Sequence, residues 1–179
     1  MQTAVDLRDV MEVLERTPRA LRGLLEGAPE RLVERPYGEG TWSAREVVAH
    51  LIYGEQADWL PRLEWILEHG ESKAFAPFNR AGHKELMRLS VRELLYEFER
   101  LRREGLATLR AKRLGAAELA RTGRHPALGV VTAGQLLSTW AVHDLNHVAQ
   151  VCKAMSIQYL QSVGAWEQYL SILRPPSPR

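Results

Sequence analysis

The stretch from Thr132 to Met155 reads TAGQLLSTWAVHDLNHVAQVCKAM and carries the clearest structural signal in the chain. Thr132 followed by Gln135 forms a capping box, which predicts that a helix begins there. The inward positions then recur every three or four residues and include two histidines: Leu136, Trp140, His143, His147 and Val151. The same helical period recurs nearly everywhere and no convincing strand-like alternation appears, so we predict an all-α fold.

Three more long helices are predicted from apolar spacing. The first covers residues 7–25 and should be bent or split at Pro18, because proline lacks the backbone donor that a helix interior needs. The second covers 43–69, with a bend near Pro61, and the third covers 90–114. The second and third each open with a Ser-x-x-Glu capping box.

The remaining segments are predicted to be loops, one short helix and a tail. Residues 70–89 contain glycine, proline and asparagine and form a long connection. A short extra C-terminal helix over 165–173 should pack Trp166 on the other helices. Because no repeat or low-complexity segment is present, residues 1–173 are predicted to form a single domain, followed by a flexible tail over 174–179.

Composition and charge exclude several classes of function. With 24 basic and 22 acidic side chains the net charge is +2, which gives no support to nucleic-acid binding. The densest basic stretch, residues 100–103, is interpreted as a solvated helix face with ion pairs to nearby glutamates. The chain has one cysteine, Cys152, no apolar run of 18 residues and no secretory signal over residues 1–6. We therefore expect a cytoplasmic protein with no membrane partner.

Three histidines are the candidate metal ligands. Four residues on a helix amount to about 400° of rotation, so His143 and His147 leave the same face and can reach one ion. His50 interrupts the apolar stripe of the second helix, and Gly54 one turn later leaves room beside its ring. A shared divalent ion explains all three positions, while a hydrogen-bonded polar cluster is the alternative that the pattern leaves open. Imidazole donors suit zinc or nickel, with manganese and iron as further options.

Polar residues near these histidines are candidates for catalytic or supporting roles. Asp144 lies three residues before His147 and could accept its ring N–H, and Gln150 lies three residues after it and could bind water or substrate. Glu46 lies one turn before His50 and could act as a base, although helix capping already explains it. The weaker acid–base candidates are Glu55 and Asp58. The histidines interpreted as turn, surface or helix-end groups are His69, His83 and His125. A position at the mouth of the site is the alternative for His125.

A set of spaced motifs runs through nearly the whole chain. Its members are Trp42-Ser43, Glu46, His50-Leu51, His125-Pro126, Gly129, Thr132, Gln135-Leu136-Leu137, His143-Asp144, His147 and Gln150. This set resembles the DinB/YfiT-like family of metalloenzymes. The resemblance implies a four-helix bundle with long crossover connections, commonly a homodimer. It also implies a divalent metal held by His50, His143 and His147.

The resemblance further implies a metal-dependent enzyme that acts on a small-molecule substrate. Two reaction types stay open, hydrolysis and transfer involving a low-molecular-weight thiol, since relatives use thiols such as bacillithiol or mycothiol. A hydrolase needs a base beside its water, and the sequence offers no unambiguous uncommitted carboxylate near the ligands. The alternative from another class is a non-catalytic metal- or ligand-binding bundle, with a role in stress responses.

Overall fold

The long helices predicted from the sequence are present and pack as a bundle. The structure is a computed structural model that describes residues 5–174. Its α-helices are α1 (Leu7–Leu25), α2 (Glu30–Glu34), α3 (Ala44–Ala57), α4 (Trp59–His69), α5 (Val91–Ala111), α6 (Ala116–Leu119), α7 (Ala133–Ile157) and α8 (Leu160–Val163). The long helices contact one another around the bundle in the cyclic order α1, α5, α3 and α7, and α4 packs against both α3 and α7. The predicted all-α four-helix bundle is therefore confirmed.

All three predicted capping boxes form. The backbone N–H of each capping residue donates to the side chain three positions later, at 2.8 Å from Ser43, 2.7 Å from Ser90 and 2.8 Å from Thr132. The hydroxyl groups of the same residues accept the return bond from the helix. These bonds satisfy backbone donors that a helix start leaves free, so α3, α5 and α7 begin where the sequence predicts.

The first helix runs through Pro18 without a break, which corrects the predicted split. Pro18 offers no N–H to the carbonyl of Leu14, one turn earlier. The guanidinium of Arg102 on α5 takes its place and donates from Nη1 to the Leu14 oxygen at 2.7 Å. A buried arginine thus satisfies the carbonyl that the proline leaves free.

The predicted bend near Pro61 is instead a break at Asp58, the residue between α3 and α4. Pro61 then falls in the first turn of α4, where a missing N–H costs little. Asp58 therefore lies at the corner between the two helices.

A small hairpin was not predicted. β1 (Thr122–His125) pairs antiparallel with β2 (Gly129–Thr132) and packs on α4. The connection over 70–89 joins the hairpin, because the N–H of Phe75 donates to the carbonyl of Arg124 at 3.0 Å. The two strands, TGRH and GVVT, do not alternate apolar and polar residues, so the sequence carries no strand signal there.

The same connection ends in a 3₁₀ helix, Gly82–Arg88, that packs on α3. A Cβ atom on Gly82 would lie 2.1 Å from Cζ of Tyr53, so this close approach requires glycine. The contact anchors the connection that carries Phe78 and Arg80.

The C-terminal part departs from the predicted short helix over 165–173. Two 3₁₀ segments, Gly164–Tyr169 and Ser171–Leu173, follow α8. The prediction that Trp166 is packed is wrong, since it is 72% exposed, and Leu173 is the buried residue of this region. Apart from Arg174, the predicted tail lies outside the described residues. None of the described helices is long and apolar enough to cross a membrane.

Two apolar clusters make up the core, one around Leu106 and Trp140 and the other around Phe98 and Val151. Arg102 lies on α5 one turn from both Phe98 and Leu106, and its side chain is 1% exposed. A charged layer therefore separates the two clusters.

In this layer Arg102 bridges two buried carboxylates. Its Nη1 and Nη2 donate to Asp144 at 2.6 and 3.1 Å, and its Nη2 and Nε donate to Glu55 at 2.7 and 3.2 Å. Nε1 of Trp140 donates to the same Glu55 oxygen at 3.1 Å. The interpretation of the basic stretch as a solvated face is therefore wrong for Arg102, whereas Arg100 does pair with glutamates at the surface.

Candidate metal centre

The rings of His50, His143 and His147 converge. His50 comes from α3, and the other two come from adjacent turns of α7. Nε2 of His143 lies 3.2 Å from Nε2 of His50 and 3.1 Å from Nε2 of His147. One ring nitrogen from each residue lies within 4.8 Å of the other two. The fold thus brings together the three histidines that the sequence singled out.

This arrangement fits a metal ion better than a hydrogen-bonded cluster. An imidazole nitrogen has one in-plane position, which holds either a hydrogen or a lone pair, so Nε2 of His143 would have to share it between two ring nitrogens, which weakens both hydrogen bonds. Nitrogen ligands at about 2.0–2.1 Å from a tetrahedral ion lie about 3.3 Å apart, close to the spacing seen here. The donor set of three imidazoles suits a divalent transition metal.

Burial keeps the three rings neutral, which is the form that binds metal. Removal from water lowers the pKa of His50 and of His143 to about 3, and charge on neighbouring imidazoles acts in the same direction. Burial also lowers the pKa of His147, against the opposing effects of Gln150 and Asp144. At neutral pH, a metal therefore meets lone pairs rather than protons on these ligands.

Tryptophan rings set the orientation of two of the imidazoles. The ring centroid of Trp42 lies 4.7 Å from that of His50, and the centroid of Trp59 lies 4.9 Å from that of His143. Nδ1 of His50 and Nδ1 of His143 are buried and have no hydrogen-bond partner within residues 5–174. Packing therefore holds these two rings in place.

The third imidazole is held by Gln150 rather than by Asp144. Oε1 of Gln150 lies 2.8 Å from Nδ1 of His147, and an amide oxygen can only accept, so Nδ1 carries the hydrogen and Nε2 keeps its lone pair. Asp144 instead accepts from Arg102, and the carboxylate of Glu46 caps α3. The role expected of Asp144 thus falls to Gln150. Asp144, Gln150 and Glu46 are all absent from the lining of the cavity beside the histidines.

That cavity has a volume of about 670 Å³, a size typical of small-molecule sites. Asp58 borders it with a side chain that is 13% exposed, and its Oδ1 lies 2.7 Å from Nε of Arg62. Burial raises the pKa of Asp58, and the charge of Arg62 opposes that rise. The break between α3 and α4 therefore supplies the acidic group of this lining. The other lining residues, besides Asp58 and the three candidate ligands, are Trp42, Gly54, Arg62, Pro77, Phe78, Arg80, His125, Pro126 and Ala127.

Two further histidines lie close to the site, although the sequence favoured turn or surface positions for both. His83 is buried, with its ring centroid 4.9 Å from that of Trp42. His125 borders the cavity from the end of β1. Only the fold of the connection and the hairpin reveals these positions, although His125-Pro126 belongs to the motif set that carried the family resemblance.

The same chain matches a known family. The model of the DinB superfamily matches residues 13–151. The chain belongs to the DinB superfamily. A protein of Oceanobacillus iheyensis, named as a proposed metal-dependent hydrolase, is 23% identical over 151 residues, which are 83% of this chain and 86% of that protein.

A solved structure has the same fold. YfiT from Bacillus subtilis, described as a candidate metal-dependent hydrolase with an unusual four-helix bundle topology, superposes with a TM-score of 0.68 at 23% identity. The superposition covers 83% of this chain and 85% of that chain. The family and the bundle predicted from the sequence motifs are thus confirmed.

Proposed function

We propose that this protein is a metal-dependent hydrolase whose ion is held by His50, His143 and His147. The observation that carries the proposal is the convergence of three imidazole nitrogens at the edge of a cavity large enough for a small molecule. Three protein ligands with an open position are typical of catalytic metal sites, whereas structural sites are closed by four. The name of the Oceanobacillus relative points to the same reaction class.

The bound ion would act as a Lewis acid that lowers the pKa of water or polarises a substrate carbonyl or phosphoryl group. Because all three ligands are neutral, no ligand charge offsets that of the ion. Zinc and nickel are the metals that we propose first, with manganese and iron as alternatives.

Asp58 is the group that we assign as the general base. Its carboxylate borders the cavity that the histidines border, and its Oδ1 forms an ion pair with Nε of Arg62. Burial raises the pKa of Asp58 toward neutral pH, and a carboxylate with a higher pKa is a stronger base than an exposed aspartate. Glu55, the other acidic candidate on α3, is engaged by Arg102 and Trp140 in the charged layer.

A thiol S-transferase is the second candidate. The three candidate ligands include no charged side chain, so a bound ion would keep its full charge. Such an ion lowers the pKa of a bound thiol as well as that of bound water, which supports this candidate. Trp42 and Phe78 add apolar surface for the organic part of a second substrate. A low-molecular-weight thiol would then be one of two substrates.

The test is turnover by protein loaded with zinc or nickel, using chromogenic esters, amides and phosphoesters, each with and without a low-molecular-weight thiol. The variant is Asp58→Asn, and Asp9→Asn at an exposed position of α1 is its matched control. If the protein is a hydrolase, turnover should require metal and should not depend on thiol. Asp58→Asn should lower the activity about 10²–10⁴-fold without changing the metal content, and Asp9→Asn should keep the activity of the parent.

The other outcomes are equally decisive. Turnover that requires thiol and is insensitive to Asp58→Asn would replace the hydrolase by the transferase. Metal-loaded protein that is stabilised by the ion but turns over no member of the panel would favour the non-catalytic metal-binding bundle over both enzymes.

We also propose that the protein is a homodimer and that α7 forms part of the interface. Val142 is 64% exposed and Leu145 is 54% exposed, and these residues are three positions apart on one face of the helix. Neighbouring exposed apolar residues of this kind are typical of interaction surfaces. Sedimentation velocity should find a dimer in the parent and a monomer of unchanged helix content in the double variant Val142→Glu, Leu145→Glu. A monomeric parent would overturn this proposal.

A further inference from the structure

The cavity beside the histidines has a polar part that the proposed reaction leaves unused. It consists of Arg62 from α4, Arg80 from the connection over 70–89 and His125 from the end of β1. We call these three residues the basic wall. None of them is predicted from the sequence as a ligand or catalytic residue, because three separate elements must fold before they share a surface.

Arg62 has hydrogen-bond donors to spare. Its Nε pairs with Asp58, and its guanidinium lies 5.4 Å above the ring of Phe75. Nη1 and Nη2 make no hydrogen bond to any residue within 5–174. A guanidinium carries five N–H groups in a planar fork, and the four on these two atoms are the ones that match an oxyanion.

His125 presents a donor to the same region. Its Nδ1 accepts hydrogen bonds from the backbone N–H groups of Ala127 and Leu128 at 3.1 and 3.2 Å. A backbone N–H can only donate, so Nδ1 bears the lone pair and Nε2 bears the hydrogen. The ring of Phe75, which supports Arg62, also lies 5.8 Å from the ring of His125, so one aromatic platform holds both side chains.

Arg80 adds a further charge without a counter-ion. Its side chain is exposed at the cavity, and no carboxylate within the described part of the chain pairs with it. Asp58 is the acidic group that borders this cavity, and it offsets only one of the two arginines. The lining therefore carries a net positive charge before any metal binds, a charge that favours a negatively charged ligand.

We propose that the basic wall binds an anionic oxygen group of the substrate, a carboxylate or a phosphate, while the bond to be cleaved lies at the histidines. The proposal rests on the proposed function in so far as it names a substrate for that reaction. Trp42 and Phe78 line the cavity as well, so the part of the substrate between its two polar ends is apolar or aromatic. The substrate class is thus a small apolar or aromatic acid, or a phosphate ester, that carries a hydrolysable bond.

The experiment measures anion binding to metal-free protein, so that the histidine site does not take part. Inorganic phosphate and benzoate are titrated separately, and the ¹H–¹⁵N signals of the arginine side chains report binding. The variants are Arg80→Gln and Arg62→Lys, and Arg8→Gln is the matched control, because Arg8 has a side chain that is 92% exposed near the start of α1. Far-ultraviolet circular dichroism verifies that each variant is folded.

Saturable binding should occur in the parent and in Arg8→Gln. Each lost charge-assisted hydrogen bond is worth a factor of roughly ten or more, so Arg80→Gln and Arg62→Lys should weaken binding by about that factor. The tighter of the two anions identifies the group as phosphate or carboxylate. Absence of saturable binding by both anions, or equal binding by the parent and Arg80→Gln, would overturn the proposal. A protein that binds anions here but takes up no metal would refute the proposed hydrolase and leave the basic wall standing.

Discussion

Replacing Arg102 with methionine removes the cation that bridges two buried carboxylates. The side chains of Glu55 and Asp144 are 4% and 0% exposed, so water cannot replace the arginine as a hydrogen-bond donor to either carboxylate. Breaking a buried ion pair in this way costs about 3–5 kcal/mol, a large part of the stability of an ordinary domain. The carbonyl of Leu14 also loses its donor, because Pro18 cannot supply one. For a chain of this length the loss corresponds to a fall in Tm of about 6–20 °C.

The assay is urea unfolding of metal-free protein, followed by circular dichroism, with Arg100→Met as the matched control. Arg100 lies half a turn away on the same helix and also contacts two glutamates, but these contacts are at the surface. We expect the midpoint of Arg100→Met to stay close to that of the parent. A midpoint for Arg102→Met that falls no further than that of Arg100→Met would refute the assignment of a buried charged layer.

The same variant should also change how stability depends on pH. Burial raises the pKa of Glu55 in the parent, and Arg102 opposes that rise. A raised folded-state pKa means that the folded protein holds a proton that the unfolded chain releases above about pH 4.3. Stability is therefore lost as pH rises through the folded-state pKa, and removal of Arg102 raises that pKa further. Above about pH 4.3 the unfolding free energy of Arg102→Met should therefore fall more steeply with rising pH than that of the parent, and equal slopes would contradict this.

Three further predictions test the site and its surroundings. Gln150→Ala should weaken metal binding by about 10–100-fold, because His147 loses the acceptor that orients its ring. Competition with a chromophoric chelator measures the affinity, and an unchanged affinity would argue against this role of Gln150. Gly82→Ala should destabilise the protein by about 1–3 kcal/mol in urea, because a Cβ atom would clash with Tyr53, and an unchanged midpoint would show that the connection does not pack as described. Zinc at a thousandfold excess over its Kd should stabilise the parent by about 4 kcal/mol and leave His143→Ala unchanged, whereas an equal gain in both would place the ion elsewhere.

The sequence predicted the long helices and the histidines that converge because both depend on short-range patterns. The capping boxes at Ser43, Ser90 and Thr132 act within one turn, so their geometry follows from local spacing. His143 and His147 share a face for the same reason. The single domain over 1–173 and the cytoplasmic location stay predictions.

Other features depend on contacts between distant segments, which one-dimensional patterns do not encode. Arg102 stands in a charged run that looks solvated, and only its position opposite Leu14 and Asp144 explains its burial. Pro18 was the one sequence signal of this contact, because a proline inside a helix leaves the carbonyl of Leu14 without its backbone donor. The basic wall was hidden because its residues come from a helix, a long connection and a hairpin.

The most direct test of the account is the metal content of protein purified without a polyhistidine tag and measured by elemental analysis. The double variant His143→Ala, His147→Ala removes two of the proposed ligands, and His69→Ala at the end of α4 is the matched control. We predict about one equivalent of a divalent transition metal in the parent and in the control, and none in the double variant. A parent that stays metal-free after incubation with zinc, nickel, manganese and iron would contradict the account and leave the three histidines as a polar cluster in a helical bundle.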